Sequence, residues 1–129
     1  VYGIEGKSRI DLLLKPATNN ADNREIYVEV KNTTLSEKTL ALFPDTVTKR
    51  GQKHLRELIS VCPDSRAVLI PCISRSDMKI FAPADSTDPL YGDLFREALN
   101  AGIEVIPCSF GFFNDHITWE GVKPFRIFQ

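Results

Sequence analysis

The chain has 129 residues, of which 43% are hydrophobic and 26% are charged, and its formal net charge is −1. This size and composition indicate one globular domain spanning residues 1–129, and the near-neutral charge neither favours nor excludes a polyanionic partner. No run approaches the ~20 consecutive apolar residues that a membrane helix needs. That excludes a membrane-spanning helical protein, and we expect no membrane partner.

Three strands are predicted in the first third of the chain. They cover residues 1–4, 9–15 and 25–32. If the last two pair in antiparallel fashion about the Asn- and Asp-rich loop between them, their partner numbers sum to about 40. That register sets Asp11 opposite Glu29. A short extension or edge strand is predicted at 40–43, closed by Pro44.

Helices and further strands are predicted in the remainder. The first helix begins at an N-cap at Asp45 or Thr46 and ends at Pro63. The second begins at the N-cap Asp88, has proline at its first position, and ends before Gly102. Further strands are predicted at 67–70, 79–81 and 103–106. The principal order βββαβαβ indicates an α/β protein, with a mixed β-sheet flanked by helices.

Charged residues inside two of the predicted strands are the most informative feature. Asp11 interrupts one apolar strand, and Glu29 and Lys31 lie two residues apart on the next, hence on one face. Opposed carboxylates repel across a strand pair, and burial strongly destabilises an unpaired carboxylate. We therefore expect positive charge between them, from Lys31 and from a divalent cation held by oxygen ligands.

Carboxylates on adjacent strands are typical of divalent-metal hydrolysis. Asp11 and Glu29 would hold Mg²⁺ or Mn²⁺, with the carbonyl of Val30 as a further oxygen ligand. The ion would polarise a phosphoryl oxygen and lower the pKa of a bound water. Lys31 would orient that water or stabilise developing negative charge. The alternative is that Asp11, Glu29 and Lys31 form a cross-strand ion cluster on a solvated sheet face.

The first predicted helix carries a concentration of basic residues. Between residues 45 and 57 four basic side chains outnumber two acidic ones, a local charge of +2. The candidates for binding DNA or phosphate on this helix are Lys49, Arg50, Gln52, Lys53 and Arg56. Such a face can attract a polyanion. The alternative is an ordinary solvated helix face.

Three cysteines bear on cellular location. Cys62, Cys72 and Cys108 are odd in number, lie in apolar contexts and lack metal-ligand spacing. Buried free thiols of a reducing cytoplasm are the expected state.

Several segments resemble the sugar fermentation stimulation protein A family. They are residues 8–11, 27–32, 43–45, 48–58 and 81–85. The string Arg-Gly-Gln-Lys-His-Leu-Arg-Glu-Leu at 50–58 is highly specific, whereas Asp followed by Glu-x-Lys is not. The resemblance runs from residue 2 to about residue 106.

The resemblance implies a C-terminal domain with the restriction-endonuclease-like PD-(D/E)xK fold, DNA binding, and a regulatory role in sugar metabolism. Asp11, Glu29 and Lys31 match the nuclease motif, and Gln52 and Lys53 match the helix after it. In the family an N-terminal OB-like domain precedes this one. We expect that domain to be a partner that this chain lacks.

Two principal functions follow. The leading one is a DNA-binding domain with a metal-dependent endo- or exonuclease site and little sequence preference. The second is a non-catalytic DNA-binding or regulatory module on a nuclease-like scaffold. A hydrolase of a small phosphorylated substrate is a third option, but no Gly-rich phosphate loop is present. The sequence is compatible with a monomer or a homodimer.

Overall fold

The computed structural model of the chain describes residues 1–128. The strands in that range are β1 (Leu12–Leu14), β2 (Ile26–Thr33), β3 (Leu35–Glu37), β4 (Leu40–Phe43), β5 (Arg66–Ile73), β6 (Ile80–Pro83), β7 (Glu104–Val105), β8 (Cys108–Phe112) and β9 (Ile117–Val122). The helices are α1 (Lys49–Val61) and α2 (Pro89–Asn100). Neither helix is long and apolar enough to cross a membrane.

The strands form two sheets. The larger one has the order β1-β2-β5-β8-β9, with β7 also paired to β5, and the smaller one has the order β3-β4-β6. The central strands β2 and β5 run parallel, whereas β1 and β9 pair in antiparallel fashion at the two edges. Both helices contribute to the hydrophobic core. The predicted α/β class with a mixed sheet and flanking helices is confirmed.

The predicted register of the first antiparallel pair is confirmed. Leu12 faces Val28, Leu13 faces Tyr27 and Leu14 faces Ile26, so the partner numbers have the expected sum. β1 begins one residue after Asp11. The same register, continued by one position, sets Asp11 across from Glu29.

Three local predictions are wrong. The strand at 40–43 is not at an edge, because β4 lies between β3 and β6 in the smaller sheet. Residues 1–4 form no strand, because the chain turns back at Gly3 (φ +95°) and only an isolated bridge joins Tyr2 to Ser8. The N-cap of α1 is Thr48 rather than Asp45 or Thr46. Thr48 has an extended backbone, and its hydroxyl accepts the N–H of Gly51 at 3.0 Å. This satisfies a helix donor that would otherwise lack a partner.

Large apolar side chains from both helices and both sheets meet in one core. The fully buried ones include Leu55, Leu58, Leu69, Ile73, Phe81, Tyr91 and Phe95. The helical spacing of these residues in α1 and α2 explains why each helix turns one face inward. Burial of each such side chain contributes roughly 1.5–3 kcal/mol relative to exposure.

Asp88 joins the N-termini of the two helices. It is 1% exposed and accepts the backbone N–H groups of Tyr91 and Thr48, each at 3.0 Å. The side-chain amide of Gln52 also donates to both of its oxygens at 3.0 Å. Burial raises the pKa of Asp88, but these hydrogen bonds outweigh burial and hold the pKa below its ordinary value of 3.8.

Asp88→Ala should lower the free energy of unfolding by about 3 kcal/mol, because it removes a helix cap and leaves buried donors without an acceptor. Urea unfolding at pH 7 measures this change. Asp93→Ala, an exposed acid on the same helix, should change it by less than about 0.5 kcal/mol. Equal losses in the two variants would contradict the role given to Asp88.

The stabilisation by Asp88 should also depend on pH. Because the folded-state pKa lies below 3.8, the carboxylate stabilises the fold fully above the unfolded-state pKa. That stability is lost as pH falls through the folded-state pKa. The difference between wild type and Asp88→Asn should therefore shrink as urea unfolding is repeated below pH 3.8. A difference that stays constant or grows would contradict this.

Candidate active site

Asp11 lies at the edge of β2, just before β1 begins. It is exposed, and its Oδ2 accepts the backbone N–H of Val30 at 2.7 Å. The N–H and C=O of a strand residue point to the same edge, so the carbonyl of Val30 faces the edge where Asp11 lies. The structure thus brings two of the predicted oxygen ligands together.

Glu29, Lys31 and His54 form a compact triangle beneath α1. Oε1 of Glu29 lies 3.0 Å from Nζ of Lys31 and 2.7 Å from Nδ1 of His54. Nζ of Lys31 and Nδ1 of His54 are themselves 2.7 Å apart. Glu29 is only 3% exposed, so the alternative of an ion cluster on a solvated sheet face does not describe it.

The protonation of His54 decides how this triangle is held. Burial, and next the charge of Lys31, lower the pKa of His54, although Glu29 opposes them. The imidazole is therefore neutral at pH 7, and its Nδ1 can either donate to Glu29 or accept from Lys31, but not both. The Lys31 ammonium is the one group that can donate to both others.

Four buried side-chain oxygen atoms lack a hydrogen-bond partner within residues 1–128. They are the hydroxyls of Tyr2 and Tyr91, Oε2 of Glu29 and Oε2 of Glu57. Burial, followed by the charges of Glu29, Glu57 and Asp11, raises the pKa of Tyr2, so its hydroxyl stays protonated and remains a free donor. Buried polar atoms usually have hydrogen-bond partners. The lack of partners for these atoms therefore indicates a place where an ion, a water or a polar ligand group can bind.

The donor set suits a hard cation in an open site. Over the part of the chain that the structure describes, no group of three or more His, Cys, Asp or Glu side chains converges to hold a metal ion. Asp11 and Glu29 with the Val30 carbonyl nevertheless fit Mg²⁺. That ion commonly binds through one or two carboxylates, and waters and substrate phosphates complete the shell. Mn²⁺ prefers the same oxygen ligands.

Glu57 is a site residue that sequence reasoning missed. It is 2% exposed, and its Oε1 accepts the hydroxyl of Ser8 at 2.6 Å and lies 3.8 Å from Nζ of Lys53. A Cβ on Gly3 would clash with the same oxygen, so only glycine allows this approach. The available signal was spacing. Glu57 follows His54 by three residues and therefore shares its helix face.

The basic residues of α1 separate into two groups. Arg50 and Lys53 line a cleft beside His54, whereas Lys49 and Arg56 are exposed outside it. Gln52 is not brought to this side. It is buried, and its amide nitrogen is committed to Asp88.

Lys31→Met should lower the free energy of unfolding by about 3–5 kcal/mol, because it leaves the buried Glu29 carboxylate without its cation. Lys7→Met is the matched control. Lys7 pairs with Glu5 at 3.6 Å in solvent, where an ion pair contributes less than about 1 kcal/mol. Chemical denaturation of both variants measures the difference. Similar losses would mean that Glu29 does not depend on Lys31.

Comparisons with known proteins agree with this architecture. The family model described as "Sugar fermentation stimulation protein RE domain" matches residues 2–116. The chain is 72% identical over 126 residues to a sugar fermentation stimulation protein homolog of Prochlorococcus marinus (strain NATL2A), covering 98% of the chain and 49% of the relative. It is 66% identical over 123 residues to the homolog of Synechococcus sp. (strain RCC307), covering 95% and 49%.

A solved structure shares the fold. It is described as "The structure of Pyrococcus Furiosus SfsA in complex with Ca2+" and matches with a TM-score of 0.86 at 31% identity, covering 95% of this chain and 52% of that one. The chain spans about half the length of the curated relatives it matches. It belongs to the sugar fermentation stimulation protein family and has that family's restriction-endonuclease-like fold.

Proposed function

We propose that this chain is a DNA-binding domain with a divalent-metal-dependent phosphodiesterase site and little sequence preference. The observation that carries the proposal is the state of Glu29. One of its carboxylate oxygens is held by Lys31 and His54, and the other is buried without a partner among residues 1–128. Such an arrangement destabilises a purely structural core, and rule-breaking polar groups of this kind are expected at functional sites.

Asp11, Glu29 and the Val30 carbonyl would hold Mg²⁺ or Mn²⁺. The similar Pyrococcus furiosus protein was solved in complex with Ca²⁺, another hard cation that takes oxygen ligands. A hard divalent cation bound by a similar protein supports the proposal that this chain also binds one. When bound, the ion would polarise a phosphoryl oxygen and lower the pKa of a bound water.

Lys31 and His54 have complementary roles in this proposal. The Lys31 side chain is nearly buried, at 14% exposed, so its charge acts in a region of low dielectric, where it stabilises negative charge on a phosphoryl oxygen more than it would in water. Nδ1 of neutral His54 can accept a hydrogen bond from one N–H of the Lys31 ammonium and thereby orient the other two N–H groups. Both residues would thus prepare the site before the substrate arrives.

DNA would lie along the exposed face of α1. Lys49, Arg50, Lys53 and Arg56 are exposed there, and contacts with phosphates position a protein on DNA without reading sequence. Gln52, whose amide nitrogen is bound to Asp88, enters this proposal as a support for α1.

The proposal includes a cytoplasmic location, an OB-like domain as partner in the longer protein, and either a monomer or a homodimer.

A non-catalytic DNA-binding or regulatory module is the second candidate. What favours it is that within residues 1–128 no three metal-ligating side chains converge, while Lys31 already neutralises Glu29. On this alternative, binding rests on the α1 cations alone, and counterion release makes it strongly dependent on salt. A fold by itself does not decide between the two.

Calorimetric titration of Mn²⁺ into the chain, with plasmid incubated in the same buffers, tests the leading proposal. We expect wild type to bind Mn²⁺ and nick plasmid. Asp11→Asn should bind at least about 10-fold more weakly, because a charged ligand is lost. Asp45→Asn changes an exposed acid beyond β4 and should behave as wild type. Lys31→Arg should retain Mn²⁺ but lose nicking, because a guanidinium does not reproduce the geometry of an ammonium.

Absence of Mn²⁺ binding in the wild-type chain would overturn the metal site. If DNA binding that weakens with salt persisted in that case, the non-catalytic module would be the correct function. Equal nicking by wild type, Asp11→Asn and Lys31→Arg would remove the proposed site from consideration.

A further inference from the structure

A cleft separates the N-terminal segment from the basic face of α1. It encloses about 400 Å³ and is lined by Lys7, Ser8, Arg9, Arg50, Lys53 and His54. This volume lies within the range of pockets that hold small ligands. Four of the six lining side chains are cationic, so the chemistry of the walls favours an anion.

The cations of this cleft are weakly neutralised by the protein. Throughout residues 1–128, Arg9 and Arg50 take part in no ion pair or side-chain hydrogen bond. Lys7 lies 3.6 Å from Glu5, in solvent, and Lys53 lies 3.8 Å from Glu57. Like charges around a concave space focus the potential and attract counter-ions. The cleft therefore carries positive charge that the protein leaves largely unneutralised.

Glu57 holds the two walls of the cleft together from below. Its Oε1 accepts the Ser8 hydroxyl, and the backbone of Gly3 packs against the same carboxylate. Tyr2 and Ser8 exchange backbone hydrogen bonds of 2.8 and 3.1 Å. The backbone at Lys7 and Arg9, which flank Ser8 in the chain, is thereby held across from α1.

His54 connects the cleft with the candidate active site. Its ring lines the cleft, while its Nδ1 lies 2.7 Å from both Glu29 Oε1 and Lys31 Nζ. A phosphate in the cleft would therefore lie beside the Glu29–Lys31 pair rather than on it. This is the relation expected between two neighbouring phosphates of one strand.

We infer that the cleft is a binding site for a nucleic-acid phosphate next to the one being cleaved, with Lys7 and Arg9 opposite Arg50 and Lys53. The inference rests on the proposed function and adds to it the cations Lys7 and Arg9, which lie outside α1. Glu57 and Ser8 are its positioning residues. The phosphate can come from an internal phosphodiester or from a terminal phosphomonoester, which share this chemistry.

Fluorescence anisotropy with a labelled DNA oligonucleotide in EDTA tests the site without metal or cleavage. We expect Arg9→Ala to weaken binding several-fold and to reduce the slope of log K against log salt by about 1, the change expected when one phosphate contact is lost. Arg50→Ala should do the same. Lys79→Ala removes an exposed cation after β5 and should leave the slope unchanged. Thermal melts check that each variant is folded.

A double-mutant cycle distinguishes one shared phosphate from general attraction. Arg9→Ala and Arg50→Ala should be non-additive in binding free energy, because both contact one group. Arg9→Ala and Lys49→Ala should be additive, since Lys49 lies outside the cleft. A 5′-phosphorylated oligonucleotide that binds more tightly than its hydroxyl counterpart, with the gain lost in Arg9→Ala, would identify a terminal phosphate. Equal binding of the two would identify an internal one.

The failure of this inference differs from the failure of the proposed function. If wild type binds DNA and Arg9→Ala behaves as Lys79→Ala, the cleft assignment is overturned while DNA binding through α1 stands. If wild type binds no DNA at low salt, the proposed DNA-binding function is overturned and the cleft falls with it.

Discussion

Burial of the Glu29 carboxylate is the constraint on which the rest of the site depends. A carboxylate that is 3% exposed is tolerated only beside positive charge and hydrogen-bond donors. Lys31 supplies the charge from the same face of β2, and His54 supplies the third group from α1. This contact sets the rotation of α1 over the sheet, because a helix turned by one residue would direct His54 elsewhere.

Polar contacts of α1 fix its position at three successive levels. Gln52 binds Asp88 at the start of α2, His54 meets Glu29 on β2, and Glu57 binds Ser8 in the N-terminal segment. Apolar packing alone tolerates small shifts of a helix, whereas hydrogen bonds of defined geometry do not. The basic face of α1 is consequently held at a fixed distance from the edge of the sheet that carries the candidate site. A nucleic-acid backbone needs such a fixed spacing if two neighbouring phosphates are to bind at the same time.

The sequence predicted the features that depend on local patterns. Period-two alternation and a midpoint in the loop were sufficient for the Asp11–Glu29 register, and Asp88 with Gly102 was sufficient for the ends of α2. Spacing could have placed Glu57 on the helix face of His54, but the partners of Glu57 and Gln52 were not predictable, since each lies far away in the chain. Lys7 and Arg9 come to lie opposite α1 only because the contacts of Gly3 and Ser8 hold the N-terminal segment against Glu57.

The count of donors and acceptors argues that the cluster beneath α1 is incomplete by itself. Glu29 and Glu57 each use one carboxylate oxygen and leave the other buried without a partner in the described chain. The hydroxyls of Tyr2 and Tyr91 are likewise buried without a partner in the described chain, so neither donates to these carboxylate oxygens. A core selected for stability alone would replace such a group with apolar side chains at little loss. A bound ion, or a water held for a reaction, would supply the missing partners of these oxygen atoms. Because its buried oxygen atoms lack partners, this cluster is a candidate site rather than an ordinary part of the core.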